Sequence, residues 1–205
     1  QKDKDYLGLS ELLAERSLVL RHLSDETGDK NFLEIALAEM IASVKIARQS
    51  SNPEALALPL FNLAKIQEDL EQNHEAVENY REALTNLENN PPTPHGIRPA
   101  MVADFKVHLA ICEYKQSLRS GDLKAGDKLA LELAEQALAE LESAEEQKYE
   151  KDVWVSGGHM RIANILKQDD PEKAKEHLQK AKEIIDDNPD LKLRLKQWEK
   201  LAASF

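Results

Sequence analysis

The sequence predicts an all-α chain of helical hairpins stacked in a row, on three observations. Apolar residues recur at helical spacing almost throughout, and short polar, glycine or proline clusters separate the periodic stretches. The composition agrees: among 205 residues, 32% are charged and 5% aromatic, which suits helices with solvated faces rather than a sandwich or barrel. Finally, a small–large–small spacing returns along the chain: Ala36, Met40, Ser43; Ala76, Tyr80, Ala83; Ala130, Ala134, Ala137; and Ala174, Leu178, Ala181. Each set keeps to one helix face. Small side chains there admit a neighbouring helix, and the larger one fills the gap between the axes. The third set departs in carrying Ala134 at its centre.

Each element has its own signals. A first helix runs from Ser10 to about Thr27, with Leu12, Leu13, Leu20 and Leu23 on overlapping faces. Gly28 interrupts it, and Asp29 is placed to cap a second helix that carries Phe32, Ala36, Met40 and Ser43 to about Arg48. The stretch SSNPEA sets a polar cap before Pro53. Leu56, Leu60, Leu63 and Leu70 mark the third helix. Pro59 either sits in its first turn, where a proline is tolerated, or kinks it. Asn73 restarts the chain. NNPPTPHG is the clearest break, and Pro99 opens a helix to about Arg119. SGDLKAGD is read as a loop before a helix rich in Leu, Ala and Glu. The next element spans about Asp152 to Gln168, where Gly157 and Gly158 either admit a close neighbour or mark a helix start nearer His159. QDDPEKA supplies a cap with Pro171 in the first turn. After DNPD, the residues Leu191, Leu195, Trp198, Ala202 and Phe205 share one face of a last helix. The hairpins thus cover approximately 10–49, 53–90, 98–148 and 152–187 of a single domain, with a capping helix over 190–204.

Charge and chemistry narrow the function classes. A formal net charge of -11 and a pI near 5.1 argue against a nucleic-acid binder and against adsorption to anionic membranes. No apolar run approaches the roughly 20 residues of a membrane span. Cys112 is alone, in an apolar helical stretch, and is read as a packed thiol. The histidines are His22, His74, His95, His108, His159 and His177, and none stands at metal-ligand spacing from another His. They are read as surface or packing residues. The glutamate-rich run from Glu132 to Glu146 reads as a solvated face. With no glycine-rich phosphate loop, no catalytic residue, metal site or cofactor is expected. A cytoplasmic setting is expected. A chain that starts at Gln1 is also compatible with a processed secreted or periplasmic form.

The second hairpin resembles the tetratricopeptide repeat (TPR) family. Leu60 stands where that family usually has Trp, Leu63 and Ala64 stand for its Leu-Gly pair, and Ala76, Tyr80 and Ala83 match its second-helix signature. The other hairpins match more loosely. The anchors Ala36, Ala76, Ala130 and Ala174 are spaced more widely than the roughly 34 residues of the standard repeat. The resemblance implies a right-handed solenoid whose first helices line a concave groove that takes a peptide or a partner protein. It assigns Phe61, Asn62, Lys65, Glu68 and Asp69 to that groove from the second hairpin. Asp104, His108, Ile111, Tyr114 and Lys115 come from the third, and Arg161, Asn164 and Lys167 from the fourth. The groove residues expected to matter most are Phe61, Asn62, Lys65, His108, Ile111, Lys115, Arg161 and Asn164. Asn62 fits one position of the family's carboxylate clamp, but Asp104 and His108 stand where the clamp has Lys and Arg, so that mode is not expected. Arg98, Lys106, Lys115 and Arg119 outnumber Asp104 and Glu113 in one first helix, and Arg161 and Lys167 meet no acid in another. An acidic peptide is therefore the expected partner of a non-enzymatic scaffold. The alternatives are a self-associating module and a regulatory domain of a longer protein. The oligomeric state is open.

Overall fold

The structure, a computed structural model, describes residues 2–94, 96–120 and 126–205. His95, most of the expected SGDLKAGD loop and the side chain of Arg119 lie outside the described residues. All regular structure among the described residues is helical: α1 (Lys2–Thr27), α2 (Asn31–Ala47), α3 (Ala57–Asp69), α4 (Asn73–Asn89), α5 (Pro99–Ser120), α6 (Gly126–Ser143), α7 (Lys148–Leu166), α8 (Pro171–Asp187) and α9 (Lys192–Ala202). A short 3₁₀ turn, Pro53–Leu56, leads into α3. The chain divides into two compact units, Gln1–Ile97 with α1 to α4 and Arg98–Phe205 with α5 to α9.

Carboxylates meet the first turns of α2 and α8. Asp29 Oδ1 accepts from the Asn31 N–H at 2.9 Å, and Asp170 Oδ1 accepts from the Lys173 N–H at 3.1 Å, so each satisfies an orphan donor of a first turn. Pro59 falls in the first turn of α3, where its missing N–H costs nothing, and no kink is needed.

Consecutive helices pair as antiparallel hairpins. Partners advance along one helix as they retreat along the other: Arg98 meets Glu146 and Lys106 meets Glu140, while Lys148 meets Asp187 and His159 meets His177. All of the small–large–small residues are buried, and Ala36, Met40, Ser43, Ala76, Tyr80, Ala83, Ala134, Ala174 and Ala181 are fully so. Within the first unit α3 touches both α1 and α2, and within the second α7 touches both α5 and α6.

Two elements differ from expectation for identifiable reasons. α1 begins at Lys2 rather than Ser10, and its buried residues among those described are Ser10, Ser17 and Ser24, while Leu12 and Leu23 are exposed. Two helical turns separate each serine from the next, so they form a stripe of small residues along the seam. Their hydroxyls are satisfied there. Ser10 Oγ donates to Ser43 O at 3.0 Å, Ser43 Oγ donates to Ser10 O at 2.8 Å, and Ser17 Oγ donates to Leu13 O at 2.7 Å. α7 begins at Lys148 and runs straight through Gly157 and Gly158. The glycines mark a close approach and not a helix start: a Cβ on Gly158 would stand 2.8 Å from Leu138 Cδ1 of α6. The last helix, α9, lays Leu191, Leu195, Trp198 and Leu201 against Met160, Ala181 and Ile185 of α7 and α8. The Trp198 indole N–H donates to Leu178 O at 2.8 Å. None of the described helices is long and apolar enough to cross a membrane.

Candidate functional site

The expected groove residues divide between the two units. In the first, α3 carries Phe61, Asn62 and Lys65. Phe61 is buried, with its ring tilted against Tyr80 at 5.5 Å between centroids, and the Lys65 ammonium lies 5.1 Å from the Phe61 ring centre. Asn62 and Lys65 are half-buried. Glu68 is buried and accepts from the Tyr80 hydroxyl at 3.0 Å, tying α3 to α4. Asp69 is engaged from α1: Arg21 donates to it through Nε and Nη2. Burial opposes the Arg21 charge, but Asp69, with Asp25 and Glu68, outweighs it and raises the pKa above its ordinary value.

In the second unit, α5 turns His108 and Ile111 into the core, where they are 2% and 1% exposed, which leaves them almost no surface to offer a partner. Asp104 is buried beside His108, with Oδ1 3.8 Å from Nε2. The Tyr114 hydroxyl, also buried, donates to Asp169 at 3.1 Å. Lys115 and Arg161 are half-buried and Asn164 is exposed. Arg161 donates to Gly157 O at 3.1 Å, and Arg194 of α9 donates to Val153 O at 2.9 Å. Both guanidiniums therefore gather over Gly157. A Cβ added there would stand 3.0 Å from Nη1 of Arg161 and 3.0 Å from Nη2 of Arg194. Lys167 lies over the Phe205 ring at 5.3 Å.

A further cluster joins α6, α7 and α8. His159 Nδ1 and His177 Nδ1 are 2.9 Å apart, and His159 Nε2 is 2.9 Å from Glu142 Oε1. Both rings are buried. Burial pushes the His159 pKa down to about 4, aided by the Lys180 charge. Burial likewise pushes His177 to about 4, aided by the His159, Lys180 and Lys173 charges and opposed by Glu135. Spacing between metal ligands gave no warning of this pair. Hairpin geometry did carry a signal: the two histidines stand equidistant from the turn at Gln168, and equidistant residues meet across an antiparallel seam. Among the described residues no group of three or more His, Cys, Asp or Glu could hold a metal ion, and Cys112 is a buried free thiol. No protein-family model matches the chain, and comparison with curated proteins returns no match.

Proposed function

We propose that the chain is a non-enzymatic interaction module of TPR-like helical hairpins that takes an acidic segment of a partner protein along its first helices. The observation that carries this reading is the burial of every small–large–small residue, together with the way the second hairpin of each unit rests its first helix on both helices of the hairpin before it. That is the contact pattern of tandem hairpins, which leaves one side of each first helix to a ligand. On α7 that side offers Arg161 and Asn164, with Arg194 of α9 beside Arg161 over Gly157. Within the same unit, Lys115 on α5 supplies a further cation with surface. Glu68, His108 and Ile111 contribute to packing rather than to recognition.

The test is selection of peptides from a random display library on the whole chain, followed by binding of the recovered peptides at low and high salt. Sequences rich in Asp and Glu, with affinity that falls with salt and falls at least about tenfold in Arg161→Glu, support the reading. Recovery of apolar or basic peptides, or affinity unchanged by Arg161→Glu and Lys115→Glu, overturns the acidic-segment reading.

Self-association is a second reading, favoured by one observation. Leu9, Leu12, Val19 and Leu23 are exposed along one side of α1 and Ile35 is exposed on α2, while the Arg16–Glu39 ion pair links the two helices at 3.2 Å. Sedimentation at several concentrations tests it, with Leu12→Glu expected to leave only monomer.

A further inference from the structure

The His159–His177 pair is the most closely defined polar group that the binding reading does not use. Partner chemistry fixes its protons. A carboxylate only accepts, so His159 Nε2 donates to Glu142. The neutral ring then presents Nδ1 as an acceptor, and His177 Nδ1 must be the donor across the 2.9 Å contact. His177 Nε2 carries the remaining lone pair. The result is a directed chain of two hydrogen bonds, from α8 to α7 to α6, inside the seam of the last hairpin.

We propose that this chain is an acid-operated latch: when the pair takes up two protons, its central hydrogen bond becomes a donor–donor clash and α8 is released from the middle of α7. A first proton, taken from solvent, adds to His177 Nε2. It leaves the chain intact, because an imidazolium still donates from Nδ1 to the neutral His159. A second proton has only His159 Nδ1 to occupy. Two N–H groups then face each other at a spacing that requires one acceptor, and two positive rings share a buried site. Both strains are relieved only if the rings reach water, which requires the seam to open.

The surrounding charges set how readily this happens. From α6, Glu142 holds His159 and Glu135 favours a charged His177, although Glu135 is itself paired with Lys173. From α8, Lys173 and Lys180 oppose protonation. On α5, Asp104 and His108 face each other and Tyr114 is bound to Asp169. On α9, Arg194 is bound to Val153 O and Gln197. The unfolded rings titrate near 6.5 and the folded ones at about 4. The folded pKa is depressed, so the stability that the neutral pair supports is complete above pH 6.5 and is lost as pH falls from there towards 4.

The chain supplies its own reporter. Both tryptophans, Trp154 and Trp198, belong to the second unit, and Trp198 is bonded to Leu178 O, next to His177. Tryptophan emission is followed as the whole chain is titrated from about pH 7.5 to about pH 4. The expected result is a red shift within that window in the wild type and none in the H159Q/H177Q variant, whose amides donate and accept without titrating. An identical shift in the variant, or none in the wild type, overturns the latch. Should the variant not fold, nitrogen NMR of the wild-type rings decides. A coupling across Nδ1–H···Nδ1 with the assigned tautomers supports the latch, and two rings that titrate independently near 6.5 refute it.

Discussion

The seams of the first and last hairpins place polar residues at the same kind of position and arrive at different properties. In α1–α2 the contact is made by Ser10 and Ser43, whose hydroxyls bond to each other's backbone carbonyls. In α7–α8 it is made by His159 and His177 through ring nitrogens. Both satisfy their buried polar atoms, as a seam must. The hydroxyls carry no charge at any ordinary pH, whereas the imidazoles are held neutral against their own tendency to protonate. The surroundings differ as well. α7 packs against α5, α6, α8 and α9, while α1 packs mainly against α2 and more lightly against α3 within its unit. Its outer side accordingly shows leucines to solvent, where α7 tolerates only glycine at one close approach. A seam that must fit on several sides loses freedom of side-chain size, and a seam that faces one neighbour keeps it.

Five substitutions sharpen this contrast, the largest expected effect first. Met40 is fully buried at the centre of the α1–α2 seam, whereas Leu178 at the matching place in α7–α8 is 8% exposed. Met40→Ala should cost about 3 kcal/mol through lost burial and the cavity left behind, and Leu178→Ala about 2 kcal/mol. Urea unfolding followed by far-UV circular dichroism measures both, and a larger loss for Leu178→Ala would reverse the order assigned here. The glycines come next and should differ in sign. A Cβ on Gly8 of α1 meets no described atom within 4 Å, so Gly8→Ala should stabilise by up to about 1 kcal/mol through helix propensity alone. A Cβ on Gly158 meets Leu138, which is itself 3% exposed and held in the core. The propensity gain is then outweighed by overpacking, for a net loss of about 1 kcal/mol. Equal effects at the two glycines would mean that α6 yields freely to α7.

Much of this was legible in the residues. The all-α class, the cap at Asp170, the first-turn placement of Pro59 and the small–large–small faces all follow from local rules, because periodicity and orphan N–H groups act within a few residues. Which face of α1 turns inward did not follow. A leucine stripe and a serine stripe share the helix, and propensity favours burying leucine. The winner is set by how close α2 comes, and Ser43 on the facing helix is the only local hint. His108 and Ile111 illustrate the same limit. The resemblance to the repeat family assigns them to a groove on α5, but α5 also packs against α7, and both side chains are almost wholly buried in the second unit. The histidine pair required combining two readings, antiparallel pairing and distance from the turn, neither of which suffices alone.

The smallest expected effect separates the two seams most cleanly. Ser43→Ala removes the bond to Ser10 O and the contact between hydroxyls, but Ser10 Oγ keeps Ser43 O as its acceptor, so no buried donor is stranded. The loss should therefore stay near the net value of one hydrogen bond, about 1 kcal/mol, instead of reaching the penalty for an unsatisfied group. Nothing removed by this substitution titrates. The difference between Ser43→Ala and wild type, read from urea unfolding by circular dichroism, should therefore be the same at about pH 7.5 and about pH 5, even though both proteins lose tryptophan-detected stability in acid. A loss that grows on acidification would mean that a titrating group leans on the serine seam. Acid sensitivity would then belong to the first unit as well, and the distinction between a hydroxyl seam and an imidazole seam would no longer account for it.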